Sequence, residues 1–89
     1  MAIQPKLIQI IRRPDVLANT GFSKSTLYNR IKNGVFPPPI SLGSRAVGFV
    51  QSECDAVINS MIAGQSPEQI KSLVVDLIQQ RQKTSQVTI

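Results

Sequence analysis

Apolar and polar positions alternate along this chain in short blocks, each closed by a glycine or a proline. Leu7-Ile8-Gln9-Ile10-Ile11 is a β-branched apolar run between Pro5 and Pro14. Its length and composition predict a strand. Pro14 then suits the first position of a helix, where its missing N–H costs nothing, and Asp15 follows in the turn that the helix dipole favours for an anion. Val16, Leu17 and Thr20 are expected to face inward, and Gly21 to end the helix with a positive φ. Phe22 precedes Ser23, a predicted N-cap, and is placed to staple against Leu27. The second helix runs from Lys24 to Asn33 and stops at Gly34. Two helices joined by three or four residues that include a glycine have the helix-turn-helix spacing.

Val35-Phe36-Pro37-Pro38-Pro39 cannot be helix or central strand and is expected to be a rigid, extended spacer. Ile40-Ser41-Leu42 and Ala46-Val47-Gly48-Phe49-Val50, joined by Gly43-Ser44-Arg45, read as a β-hairpin with Arg45 at or beside its tip. Ser52 is the expected cap of a third helix, with Asp55 at the capping-box position. Cys54, Val57, Ile58, Met61 and Ile62 form its apolar stripe, and Gly64 stops it. Ser66-Pro67-Glu68-Gln69 is the strongest helix start in the chain. Behind it Ile70, Leu73, Val74, Leu77 and Ile78 share one face, and the polar stretch from Gln79 to Ile89 is expected to fray.

These elements predict a mostly α fold with a small β-hairpin wing: a winged helix-turn-helix over residues 1–64, a C-terminal amphipathic helix over 65–82 and a frayed tail over 83–89. Packing of that last helix on its own domain is the first expectation, because a chain of 89 residues needs all the core it can bury.

The inventory narrows the chemistry. The chain has no His and one Cys, so no His-containing metal site, Ser-His-Asp group or Cys-His pair forms within it. An enzyme is therefore not expected, and neither is a cofactor or a bound metal. Cys54, on an apolar stripe, reads as buried and inert. One Cys makes no intramolecular disulfide, which fits a cytoplasmic location. The N-terminal residues lack the pattern of a signal peptide, and no apolar run approaches a membrane span.

Charge sharpens the picture because it is uneven. Of the formal +5, residues 1–50 carry +6, with Asp15 the sole acid against seven Lys and Arg, and residues 51–89 carry −1. A basic half suggests a polyanionic partner, nucleic acid first and an acidic membrane second, against an ordinary solvated surface. On the second helix Leu27 and Ile31 mark the core side. Ser25, Asn29 and Lys32 fall opposite, Thr26 and Tyr28 flank them, and Lys24 sits in the first turn. That face is small, hydrogen-bonding and basic, and it holds no acid. Short side chains let a backbone approach a groove floor, Asn pairs bidentately with adenine, and Lys reaches guanine or phosphate. Ser23 and the N–H groups behind it suit a phosphate. Tyr28 is expected to be half core and half phosphate contact. Arg45 on the hairpin is placed to enter a minor groove or touch a flanking phosphate.

Four segments carry a resemblance: Thr20-Gly21-Phe22-Ser23-Lys24-Ser25-Thr26-Leu27-Tyr28, Gly34-Val35-Phe36-Pro37, Leu42-Gly43-Ser44-Arg45-Ala46-Val47-Gly48-Phe49 and Ser52-Glu53-Cys54-Asp55-Ala56. Together they resemble the AlpA-type prophage regulators, small proteins related to phage excisionases and to the DNA-binding domain of MerR regulators. The resemblance covers about residues 7–62. It implies a winged helix-turn-helix that reads operator DNA as a transcription regulator, as an excision factor, or as both. Ser23, Lys24, Ser25, Thr26 and Tyr28 match the opening of the family's recognition helix, and Gly43-Ser44-Arg45 its wing. Phe49 and Val57 stand where family members often carry Trp, so packing there must differ. The fourth helix lies outside the family core.

The expected function is thus sequence-specific binding of double-stranded DNA. An excisionase-type architectural role beside an integrase is one alternative. A protein-interaction adaptor that uses the C-terminal helix, as a homodimer or with another protein, is a second. A small-molecule effector is not expected, because the chain is too short to add a sensing domain.

Overall fold

The computed structural model describes residues 9–87, and side chains as far as Gln82. Leu7 and Ile8, expected in the first strand, and Lys6 lie outside the described residues. Within them the chain runs β1 (Ile10–Ile11), α1 (Arg13–Thr20), α2 (Lys24–Lys32), β2 (Ile40–Gly43), β3 (Ala46–Val50), α3 (Gln51–Ile62) and α4 (Pro67–Val87). It is a mostly helical fold with a small antiparallel sheet, consistent with a winged helix-like domain that carries an added C-terminal helix.

The sheet has three strands in the order β1-β3-β2. Ile11 faces Phe49 and Ile10 faces Val50 across one pair, while Ile40 faces Gly48 and Ser41 faces Val47 across the other. β3 is therefore the central strand, and the hairpin is tied to the chain's first described residues. Gly48 is required at this crossing: a β-carbon there would stand 2.5 Å from Ile10 Cγ2 and 3.0 Å from Leu42 Cδ1.

Ile11, Val16, Leu27, Phe36, Phe49, Cys54, Val57, Ile70 and Val74 form one buried cluster. Every helix and the central strand contribute to it. At this size a single core must do the holding. The proline segment differs from its expected role as a spacer. Phe36 and Pro37 are fully buried, and the Phe36 ring meets Phe22 edge-on at 6.0 Å. The prolines fix a path that drives an aromatic side chain inward, so the segment is part of the core.

α3 corrects the expected start. It begins at Gln51 directly off β3, its N-cap is Val50, and Ser52 is exposed within the first turn and caps nothing. The Gln51 N–H is satisfied instead by the Gln9 carbonyl at 2.9 Å, an acceptor supplied by the β1 edge. Its buried face is also rotated from the predicted stripe. Glu53, Cys54, Val57 and Ser60 are buried, whereas Ile62 is 78% exposed.

α4 starts as expected. Ser66 N–H donates to Gln69 Oε1 at 2.8 Å, and Gln69 N–H donates to Ser66 Oγ at 3.2 Å, a reciprocal capping box. Ile70 and Val74 enter the core, Leu73 and Leu77 pack on it, and the helix lies against α3. The helix extends past Gln79 to Val87. Arg81 ties this part of it back to the domain: its guanidinium donates to Glu53 at 2.8 and 2.6 Å and to the Pro38 carbonyl at 2.9 Å. These bonds fix the helix beyond its apolar stripe. Residues 88–89 of the expected tail lie outside the described residues. Among the described residues no helix is long and apolar enough to cross a membrane.

Candidate nucleic-acid interface

α1 and α2 are linked by Gly21–Ser23, a turn built from three local devices. Gly21 takes φ 74° and its N–H donates to the Leu17 carbonyl at 2.8 Å. Thr20 Oγ1 donates to the Val16 carbonyl at 2.8 Å and accepts from the Phe22 N–H at 3.1 Å. Ser23 then caps α2, accepting from the Thr26 N–H at 3.2 Å. At the other end Gly34 takes φ 79°, its N–H donates to the Ile31 carbonyl, and the Val35 N–H donates to the Arg30 carbonyl. That pair of bonds is a Schellman motif. Leu27 is fully buried and Ile31 half-buried, so α2 is anchored by one side and both ends.

The predicted site residues then divide. Lys24, Ser25, Asn29 and Lys32 are all exposed on α2, and their side chains hydrogen-bond nothing among the described residues. Ser23 and Thr26 are engaged with each other. Besides the cap, the Ser23 hydroxyl donates to Thr26 Oγ1 at 2.9 Å, and Thr26 is half-buried. Both hydroxyls thus serve the helix start. Tyr28 is not half core as expected. It is 52% exposed, because its offset from Leu27 turns the ring outward. Its hydroxyl accepts from Arg13 Nη1 at 2.6 Å, which leaves its own O–H to donate. The Arg13 guanidinium also lies 6.0 Å from the Tyr28 ring centre.

Arg45 sits exposed in the two-residue tip between β2 and β3, with φ 62°. It is the sole non-glycine residue with a positive φ among the described residues. That region costs an ordinary side chain about 1 kcal/mol or more.

Three residues outside the predicted set join this surface. Arg13 steadies Tyr28. Arg30 lies over the Phe22 ring at 4.8 Å, and its Nη1 reaches Met61 Sδ at 3.8 Å. Lys71 of α4 faces α2 across an open groove of about 480 Å³, walled on the α2 side by Thr26, Asn29, Arg30 and Asn33. Sequence spacing carries a signal for Arg13 and Arg30, basic residues of the helix-turn-helix itself. It carries none for Lys71, which arrives from a separate helix.

Electrostatics separate α2 from its neighbours. The other three helices each place an acid in the first turn: Asp15 in α1, Glu53 in α3 and Glu68 in α4. α2 has none, and begins with Lys24 against the unfavourable end of its dipole. Away from this surface, Cys54 is buried and its thiol is pushed up to about 12, first by burial and then by the nearby Glu53 and Asp55 charges, so it stays protonated at neutral pH. The Glu53 hydrogen bond holds the Arg81 guanidinium above its ordinary value.

A helix-turn-helix followed by a small antiparallel hairpin and a third helix is consistent with the class of winged helix-like proteins. Residues 9–62 match the family described as Prophage CP4-57 regulatory protein (AlpA), and the chain belongs to that family. A relative in Enterobacteria phage P4, an uncharacterized protein ORF88, is 41% identical over 56 residues, which is 63% of this chain and 64% of that relative's length. No solved structure matches. The matched residues span β1 to the end of α3 and leave α4 outside.

Proposed function

We propose that this protein is a sequence-specific double-stranded DNA-binding regulator of a prophage or related mobile element, acting in the cytoplasm by binding, without catalysis or a cofactor. α2 reads the major groove through Lys24, Ser25, Asn29 and Lys32. Tyr28, with the α2 N-terminus at Ser23 and Thr26, meets the flanking phosphates, and Arg45 reaches the DNA beside the groove. The observation that carries this reading is the bare face of α2, which holds cations and amides and no acid and whose first turn runs against the helix dipole. A helix that opposes its own dipole is consistent with an anion supplied from outside. Family membership and the phage relative support the same reading. Arg45 adds to it, because an arginine held at a positive φ gives up backbone comfort to keep a cation at an exposed tip.

The test begins with selection of bound duplexes from a random pool, which yields the site and, through its symmetry, the stoichiometry. On the selected duplex Asn29→Ala and Lys24→Ala are expected to weaken binding by about 1–3 kcal/mol each. Both are surface positions, so thermal stability stays within ~0.5 kcal/mol. With about 4–6 phosphate contacts the log–log salt slope is roughly −4 to −5. Unchanged affinity in both variants rejects α2 as the reading helix. The absence of any complex with DNA at low salt rejects the function and favours an adaptor role.

A further inference from the structure

We infer that the groove between α2 and α4 seats the sugar–phosphate backbone of the duplex that α2 reads, and that Lys71 is a DNA contact supplied by the helix added beyond the family core. The inference rests on the DNA-reading proposal and extends it to a part of the chain that the family match does not reach.

Three features of the groove argue for this occupant. First, the polar residues that line it all carry donors: Thr26, Asn29, Arg30, Asn33 and Lys71, beside the apolar Val35 and Pro67, with no carboxylate among them. Glu68, the acid of the α4 first turn, does not line it. Two cations that face one groove without a counter-charge repel each other, and an anion placed there relieves both. Phosphodiester oxygens accept from all of these groups.

Second, the cations are held. Arg30 is stacked on Phe22 at 4.8 Å and cannot swing away to solvent without losing that contact. The Lys71 stem passes over the C-terminal cap of α2: its Cγ lies 4.0 Å from where a β-carbon on Gly34 would stand.

Third, the groove is continuous with the reading face. Asn29 belongs to both, exposed on α2 and lining the groove wall. A strand edge beside the major groove that holds α2 therefore passes next to Lys71. The space, about 480 Å³ and open, accommodates a running backbone and does not enclose a small molecule.

The experiment uses the full chain in salt series on two duplexes, the selected site and an unrelated sequence. Lys71→Met is expected to weaken binding to both by a similar factor, on the order of fivefold at moderate salt, and to reduce the magnitude of the salt slope by about 0.9. Lys71→Arg should keep the wild-type slope, and the melting temperature of both variants should stay at the wild-type value. Wild-type binding with an unaltered slope in Lys71→Met overturns the inference and leaves the α2 reading standing. So does an affinity loss that comes with a lower melting temperature and an unchanged slope, which makes Lys71 a support for the α2 terminus. Wild-type protein that binds neither duplex at low salt overturns the DNA-reading proposal itself.

Discussion

α2 and α4 are held in opposite ways. α4 is fastened along its side: Ile70 and Val74 are buried, Leu73 and Leu77 pack on the core, and Arg81 reaches Glu53 and the Pro38 carbonyl near its far end. α2 has one fully buried side chain, Leu27, and relies on its ends, a serine cap at one and a Schellman motif at the other. A helix that must keep one side bare cannot gain its stability from packing all round, so terminal hydrogen bonds and a single deep anchor replace it. The difference also appears in charge. α4 starts with an acid, in accord with its dipole, and α2 starts with a lysine. Local rules are obeyed where the chain holds itself together and broken on the face proposed to meet DNA.

The heaviest blow to this division is aimed at the support beneath α2. Phe36 is fully buried and meets Phe22, the residue just before the α2 cap. Phe36→Ala is expected to cost about 4 kcal/mol, a large part of what a small domain possesses. Denaturant unfolding measures it. A loss under ~1 kcal/mol would mean that α2 does not depend on this anchor.

Arg81→Ala tests the fastening of α4. It removes both hydrogen bonds from Glu53, whose side chain is 6% exposed, and leaves a buried carboxylate without its partner. The expected cost is about 3 kcal/mol, at the low end for buried pairs because Arg81 itself is 25% exposed. Replacing both residues, Glu53→Leu with Arg81→Leu, should recover much of the loss, since no orphaned charge remains. A double variant as unstable as the single one would show that Arg81 acts through the Pro38 carbonyl instead.

The residues involved explain what could be read in advance. The helix-turn-helix and the hairpin were legible because local chemistry decides them. Gly21 and Gly34 take the positive φ their positions demand, Ser23 and Ser66 cap as serines do, and the strands alternate around Gly43-Ser44-Arg45. What escaped was decided by distant neighbours. Ser52 looked like a cap, but the Gln9 carbonyl had already satisfied the start of α3. Glu53 carries no local sign of its burial, because Arg81 returns to it from 28 positions along the chain. Phe36 looked like part of a spacer, because three prolines advertise rigidity and do not tell which way the segment turns. Lys71 belongs to the same class: its place beside α2 is a product of how α4 packs. The exposed half of the candidate site was visible from helical periodicity, and its α4 edge was not.

The smallest effect separates holding from reading most cleanly, because the two are expected to move in opposite directions. Arg45 stands at φ 62° on the hairpin tip, a conformation that glycine adopts without strain. Arg45→Gly relieves the backbone by about 1 kcal/mol and gives back part of that as added freedom of the unfolded chain. Stability should therefore hold or rise slightly, while DNA binding weakens and the salt slope falls by about 0.9 through loss of one phosphate contact. Arg45→Lys keeps the charge and the strained backbone, so it should bind nearly as wild type. Thermal melting and a salt series on the selected duplex give both readouts from the same preparations. If Arg45→Gly melts lower and binds unchanged, the arginine serves the hairpin and not the DNA, and the wing leaves the interface while α2 remains.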